Sequence, residues 1–137
     1  MDSILFIAHD VYTSLGAGYN EIVYHRAFEV GLRSSGIKYE SEVITPVFYK
    51  GFNVGHGRID IKLDNVIIEL KAISSLNNDA VIQIKNYMKY YTFTEGLIIN
   101  FGQPTKASQG SLEVKYISGN KVFDFIDGTF KEVLVIP

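Results

Sequence analysis

Asp60, Glu69 and Lys71 are two carboxylates and an ammonium carried by one short segment. Paired carboxylates are the oxygen donors that divalent cations prefer. Such a cation beside a lysine can activate water and hold a phosphate. The segment that must position these groups runs Arg58-Ile59-Asp60-Ile61-Lys62-Leu63, then Asp64-Asn65, then Val66-Ile67-Ile68-Glu69-Leu70-Lys71. It reads as two antiparallel strands around a two-residue turn, because Asp and Asn tolerate the positive φ angles that such a turn needs. With Asp64 and Asn65 as the loop, Leu63 faces Val66, Ile61 faces Ile68, and Asp60 lies opposite Glu69. Side-chain alternation then predicts an apolar core face of Ile59, Ile61, Leu63, Val66, Ile68 and Leu70. The other face carries Arg58, Asp60, Lys62, Ile67, Glu69 and Lys71. Like charges directly opposite are destabilising, and a bound cation would relieve them. The competing reading is a solvated sheet face. On that reading Asp60–Lys71 and Lys62–Glu69 are diagonal surface ion pairs of small energetic weight.

The elements around this hairpin follow from periodicity and breakers. A first helix is expected over about Ser3 to Leu15, ended by Gly16-Ala17-Gly18. A second starts after Asn20 as N-cap and ends near Arg33 to Ser35, before Gly36. Ile37 to Ile44 and Pro46 to Lys50 read as two short strands with a break between them, and Gly55-His56-Gly57 as a turn. Asn77-Asn78-Asp79 opens a third helix running to about Phe93, followed by a buried strand at Gly96 to Phe101. After the polar loop Gln103 to Gly110, three closing strands are expected at Leu112 to Ile117, Val122 to Ile126 and Phe130 to Ile136. This order gives an α/β fold, a central mixed sheet flanked by helices with a β-rich C-terminal tail.

A chain of 137 residues with 47% hydrophobic residues is one domain's worth and can form a core. It has no cysteine, which removes disulfides, thiolate catalysis and zinc-thiolate sites. The stretch from Met1 to Ala8 lacks a basic region and a cleavage site, and its apolar run is too short to span a bilayer. No membrane association and a cytosolic or nuclear compartment are therefore expected. The net charge of −2 is not that of a protein gripping nucleic acid by bulk electrostatics.

Further polar residues stand at helical spacing. Glu21 shares a helix face with Tyr24 and Phe28, which read as core; an acid near a helix N-terminus is also favoured by the dipole alone. Gln83 and Tyr87 share a face of the third helix, and an amide in that apolar stretch wants a partner. Lys85 and Lys89 form a small basic stripe, or an ordinary solvated face. His9, His25 and His56 show no metal-ligand spacing. No phosphate-cradling, dinucleotide or nucleophile-elbow motif is present.

Together these residues resemble a known pattern. Asp60 followed by Glu69-Leu70-Lys71 is similar to the D…(D/E)-x-K core of the PD-(D/E)XK nuclease superfamily. Gln83 to Tyr87 resembles the Q-x-x-x-Y motif of its RecB-like branch, and Gly18 to Tyr24 the motif of its GxxExxY family. The resemblance runs from about Val11 to Phe101. Ile59 stands where the superfamily name has proline, and Ala17 where GxxExxY members often have one. The resemblance implies a restriction-endonuclease-like core and a cofactor of Mg²⁺ or Mn²⁺. Its ligands would be Asp60, Glu69, the Leu70 carbonyl, and Glu21 directly or through water. Lys71 would orient the attacking water or stabilise charge on the phosphate, and Gln83 and Tyr87 would steady the site. Apart from the resemblance, the basic stripe makes Lys85 and Lys89 candidates for substrate contact. The implied activity is metal-dependent hydrolysis of nucleic acid, DNA first. The alternatives are a catalytically silent module of the same fold acting in an assembly, and a DNA-binding homodimer joined through the tail.

Overall fold

The computed structural model describes residues 1–133. Its elements are α1 (Asp2–Leu15), α2 (Glu21–Ser34), β1 (Glu40–Tyr49), β2 (Phe52–Lys62), β3 (Ile67–Lys71), α3 (Asn78–Tyr90), β4 (Glu95–Asn100), β5 (Glu113–Ser118), β6 (Lys121–Ile126) and β7 (Thr129–Val133). The strands form one seven-stranded sheet in chain order. All neighbours are antiparallel except β3 and β4. A parallel pair needs a crossover, and α3 supplies it. The result is the expected α/β architecture with a mixed sheet and a strand-rich C-terminal part.

Two cores lie on the two faces of the sheet. On one, α1 buries Ile4, Ile7, Ala8 and Val11, a helical stripe. They join Tyr24, Phe28 and Leu32 of α2 above Ile61, Ile68, Leu70, Leu97 and Ile99. A Cβ on Gly31 would fall 2.5 Å from Ile7 Cγ2, so the two helices meet at that glycine. On the opposite face α3 sets Ala80, Val81, Ile84 and Met88 against Ile59, Ile67 and Ile98. The Asn77 side chain caps α3 by accepting from the Asp79 N–H. Burial on both faces accounts for the continuous apolar runs of β3 and β4.

Three expectations are corrected. The two short strands before the hairpin are one, β1, which continues through Pro46. It is the edge strand, where a missing backbone N–H is tolerated. Gly55-His56-Gly57 is not a turn but part of β2, paired with Thr45 to Val47. The chain reverses instead at Lys50-Gly51, with φ of 49° and 81°. The third helix ends at Tyr90 rather than Phe93, stopped where Thr92 takes a φ of 56°. Of the last expected strand, residues 134 to 136 lie outside the described residues. Among the described residues no helix is long and apolar enough to cross a membrane.

Candidate active site

The β2–β3 turn has the register the alternation predicts. Ile61 pairs with Ile68, Lys62 with Ile67, and the Leu63 N–H donates to the Val66 carbonyl at 2.9 Å. One step further the regular ladder stops and side chains replace it. The Leu70 N–H donates to Asp60 Oδ2 at 2.8 Å, and the Asp60 N–H donates to Glu69 Oε1 at 3.3 Å. Asp60 and Glu69 thus interlock through each other's strand, each only 3% exposed. On the other side of β2, the β1 pairing skips from Ser41–Ile61 to Val43–Ile59, and Glu42 takes a φ of 55°. A non-glycine residue there stores strain, which is commonest at functional sites.

This irregularity breaks the alternation. Ile59, expected on the face of Ile61, packs instead under α3. The polar face is not solvated either, since Ile67, Asp60 and Glu69 are all buried. The diagonal ion pairs are absent among the described residues: Lys62 pairs with Glu40 at 3.2 Å, and Lys71 donates to Gln83 Oε1 at 3.0 Å. Asp60 has Arg58 at 3.7 Å, half-exposed and shared with Glu42. Burial, and next the charge of Asp60, push the Glu69 carboxyl up to about 9. In the metal-free protein at neutral pH, the pair therefore retains a proton.

Glu21 stands in the first turn of α2, near enough for the charge of Asp60 to act on it. Its exposed carboxyl is raised, first by partial desolvation and then by Asp60. The loop before α2 is fixed by Tyr24, whose hydroxyl donates to the Gly16 carbonyl at 2.6 Å and accepts from the Tyr19 N–H at 3.1 Å. The Tyr24 ring stacks on Phe101 with centroids 4.6 Å apart. Tyr24 is thus core, as expected, and also holds the turn that presents Glu21. Asn20 occupies the N-cap position but makes no capping side-chain bond.

Glu21, Lys71, Asn77, Asp79 and Gln83 line one open cleft. From Gln83 a relay runs along α3: its Nε2 donates to the Tyr87 hydroxyl at 3.4 Å, and that oxygen accepts the Arg58 N–H at 3.2 Å. A Cβ on Gly57 would lie 2.7 Å from the Tyr87 ring, so the glycine admits the tyrosine. The structure therefore brings Glu21, Asp60, Glu69, Lys71, Gln83 and Tyr87 into one neighbourhood. Asp60 and Glu69 lie in its buried part, outside the cleft wall. Leu70 contributes its N–H to Asp60, and its side chain is core. Lys85 and Lys89 line no part of the cleft.

Sequence reasoning missed Asn100. Wholly buried, it accepts from Ile73 N–H at 2.9 Å and Gly102 N–H at 3.1 Å, and donates to the Ile73 carbonyl and to Glu113. Glu113 in turn accepts the Leu76 N–H at 3.1 Å. These bonds pin the loop between Lys71 and α3. A polar residue ending the apolar run of β4 was its only signal. His25 is buried between Ser41 and Glu29, but both meet the same Nε2, at 2.9 Å and 3.3 Å, so the ring cannot relay a proton between them. His9 is exposed and bonded to Thr13, and His56 is exposed in β2. Among the described residues no three His, Cys, Asp or Glu side chains stand together as a metal-holding group; the buried carboxylates are a pair.

The fold is a three-helix α/β domain on a mixed sheet, with a buried acidic pair followed by a lysine. The family model of the PD-(D/E)XK nuclease superfamily matches residues 1–114. The chain belongs to that superfamily, and its mixed sheet with flanking helices is the expected restriction-endonuclease-like core. Among solved structures it is similar to the crystal structure of SSO0001, with a TM-score of 0.53 and 17% identity over 72% of this chain and 50% of that one. The chain thus spans half the length of that protein, and the likeness is one of fold. No curated protein matches the sequence.

Proposed function

We propose that this chain is a metal-dependent nuclease that hydrolyses phosphodiester bonds of DNA with an activated water. The observation that carries the reading is the burial of Asp60 and Glu69 against each other, with only Leu70 between Glu69 and Lys71 on β3, and Lys71 lining a cleft with Glu21 and Gln83. Two carboxylates desolvated together, one retaining its proton, cost stability that a solvated surface would not demand. A stabilising role for the pair is therefore a poor explanation of it.

The donor set fits Mg²⁺ or Mn²⁺. It is all oxygen, and magnesium is commonly held by one or two carboxylates with water and substrate phosphate completing the shell. Asp60, Glu69 and the Leu70 carbonyl would hold it, with Glu21 reaching it directly or through water. Such a cation supplies a bound water of lowered pKa and neutralises charge that builds on the phosphate. The chain's own groups do the rest. Lys71, steadied by Gln83 Oε1, places its ammonium at the cleft to stabilise the phosphoryl oxygens. Glu21, at the accessible rim, orients the attacking water. The new P–O bond forms as the bond to the leaving oxygen breaks. Tyr87 holds Gln83 and the β2 backbone in register. Lys89 on the exposed flank of α3, and Lys85 beside it, would meet the phosphate backbone away from the cleft.

The test is cleavage of single-stranded, duplex and branched DNA with Mg²⁺ or Mn²⁺. Asp60→Ala and Lys71→Ala should each lower the rate by about 10²-fold or more. Full activity in both variants would remove this site assignment.

A further inference from the structure

The outer half of the β1–β2 hairpin is the least expected surface of the molecule. Ile44, Val47, Phe48, Tyr49, Phe52 and Val54 are all exposed, Phe48 at 58% and Phe52 at 75%. Large apolar side chains rarely cluster in water without a partner. The strands here stay paired to the Tyr49–Phe52 end with one register shift between Val47 and Phe48, so the side chains are presented by an ordered ribbon. Between its base and α3 runs a groove lined by Pro46, Val47, Gln83, Asn86, Tyr87 and Tyr90. Gln83 also lines the cleft of Lys71 and Glu21. The groove and the candidate active site therefore meet at Gln83.

The charge pattern of the arm and groove is one-sided, and carboxylates enter only at the cleft, with Glu21 and Asp79. The chain has 15 acidic residues, yet none falls in residues 43–57 or 80–94. Those two stretches form the arm and most of α3 with the turn after it. They carry Lys50 at the arm's tip, whose ammonium lies 5.4 Å from the Tyr49 ring centroid; Lys85 and Lys89 stand on α3 outside the groove's lining. Aromatic faces beside a lysine and cleared of carboxylates suit a strand of phosphates whose bases are unstacked. A duplex hides its base faces and offers such an arm nothing to stack on.

We infer that the β1–β2 arm and its groove with α3 bind single-stranded nucleic acid, bases stacking on Tyr49 and Phe52, which pair across the ribbon, and lead the strand past Gln83 to the cleft. The inference rests on the nuclease reading for the direction of the strand, and on the arm alone for binding.

The test measures fluorescence anisotropy of labelled single-stranded and duplex DNA oligonucleotides with the full chain in EDTA, where cleavage cannot interfere. Wild type should bind the single strand more tightly than the duplex. The double variant Tyr49→Ala/Phe52→Ala should bind the single strand at least about tenfold more weakly. Phe6→Ala, which removes an equally exposed aromatic on α1, should bind as wild type. Unchanged affinity in the arm variant overturns the inference, as does equal loss of single-strand and duplex binding. Light scattering covers the remaining occupant, a second copy: a wild-type dimer that the arm variant turns into monomer, with single-strand affinity intact, also overturns it. Arm-dependent binding by a chain that cleaves nothing supports this inference while removing the nuclease reading.

Discussion

The two ends of β2 break opposite rules of protein surfaces. At the inner end Asp60 is buried beside Glu69, and at the outer end Phe52 and Val54 stand in water. Buried charge and exposed apolar area are the two informative departures from ordinary packing. One strand carries both, and Gly57 with Tyr87 lies at the boundary between them. The inner end sacrifices stability for the carboxylates, and the outer end sacrifices solubility for an apolar arm. Neither is explained by the fold's own needs, since the two cores on either side of the sheet are closed without them.

The sharpest way to break this contrast is at the inner end. Glu69→Gln should lower DNA cleavage by about 10²-fold or more while making the metal-free protein more stable at pH 8, by ~2 kcal/mol. Thermal unfolding reads the second effect. Its pH dependence follows in sign. The folded Glu69 carboxyl sits at about 9 against an ordinary 4.5, so the folded protein holds a proton that the unfolded chain has lost. Stability should be full below pH 4.5 as far as this group is concerned, and should fall as pH rises toward 9. In Glu69→Gln that decline should flatten. A loss of stability in Glu69→Gln at pH 8 would make the pair structural.

At the boundary, Gly57→Ala should destabilise by about 1–3 kcal/mol, because its Cβ would meet the Tyr87 ring at 2.7 Å and Thr45 Oγ1 at 2.9 Å. A denaturant midpoint unchanged from wild type would contradict this packing. Tyr87→Phe keeps the ring and removes the hydroxyl that joins Gln83 to the Arg58 N–H. It should cost about 1 kcal/mol by the same measurement. The smallest effect belongs to the outer end. Phe52→Ser should leave unfolding stability within about 0.5 kcal/mol of wild type, since the side chain is 75% exposed. A larger loss would mean that the arm is a folded-core element after all.

The inner end was largely legible in the sequence and the outer end was not. Strict alternation and a two-residue turn fixed Ile61 against Ile68 and hence Asp60 against Glu69, because period-two register leaves no freedom once the loop is set. Ile59 escaped that logic because the strand pair distorts at Glu42 and Asp60, a tertiary event with no local signature. The arm was misread for two reasons. Pro46 reads as a break unless the strand is known to be an edge, and Gly55 and Gly57 read as a turn unless the tyrosine above them is known. Apolar residues from Val43 to Val54 gave no warning that they face water, since periodicity reports a face and not what covers it. Lys71 meeting Gln83 needed the crossover of α3, which brings together residues from opposite sides of a loop.

The central claim is that Asp60 and Glu69 form a cation site, and calorimetric titration of the metal-free protein with Mn²⁺ at pH 7.5 tests it most directly. Run in two buffers of different ionisation heat, wild type should show saturable binding with release of about one proton, the one the pair holds when metal is absent. Asp60→Asn should abolish that binding. Wild type that takes up no Mn²⁺, or an Asp60→Asn variant that binds it equally well, would contradict the account.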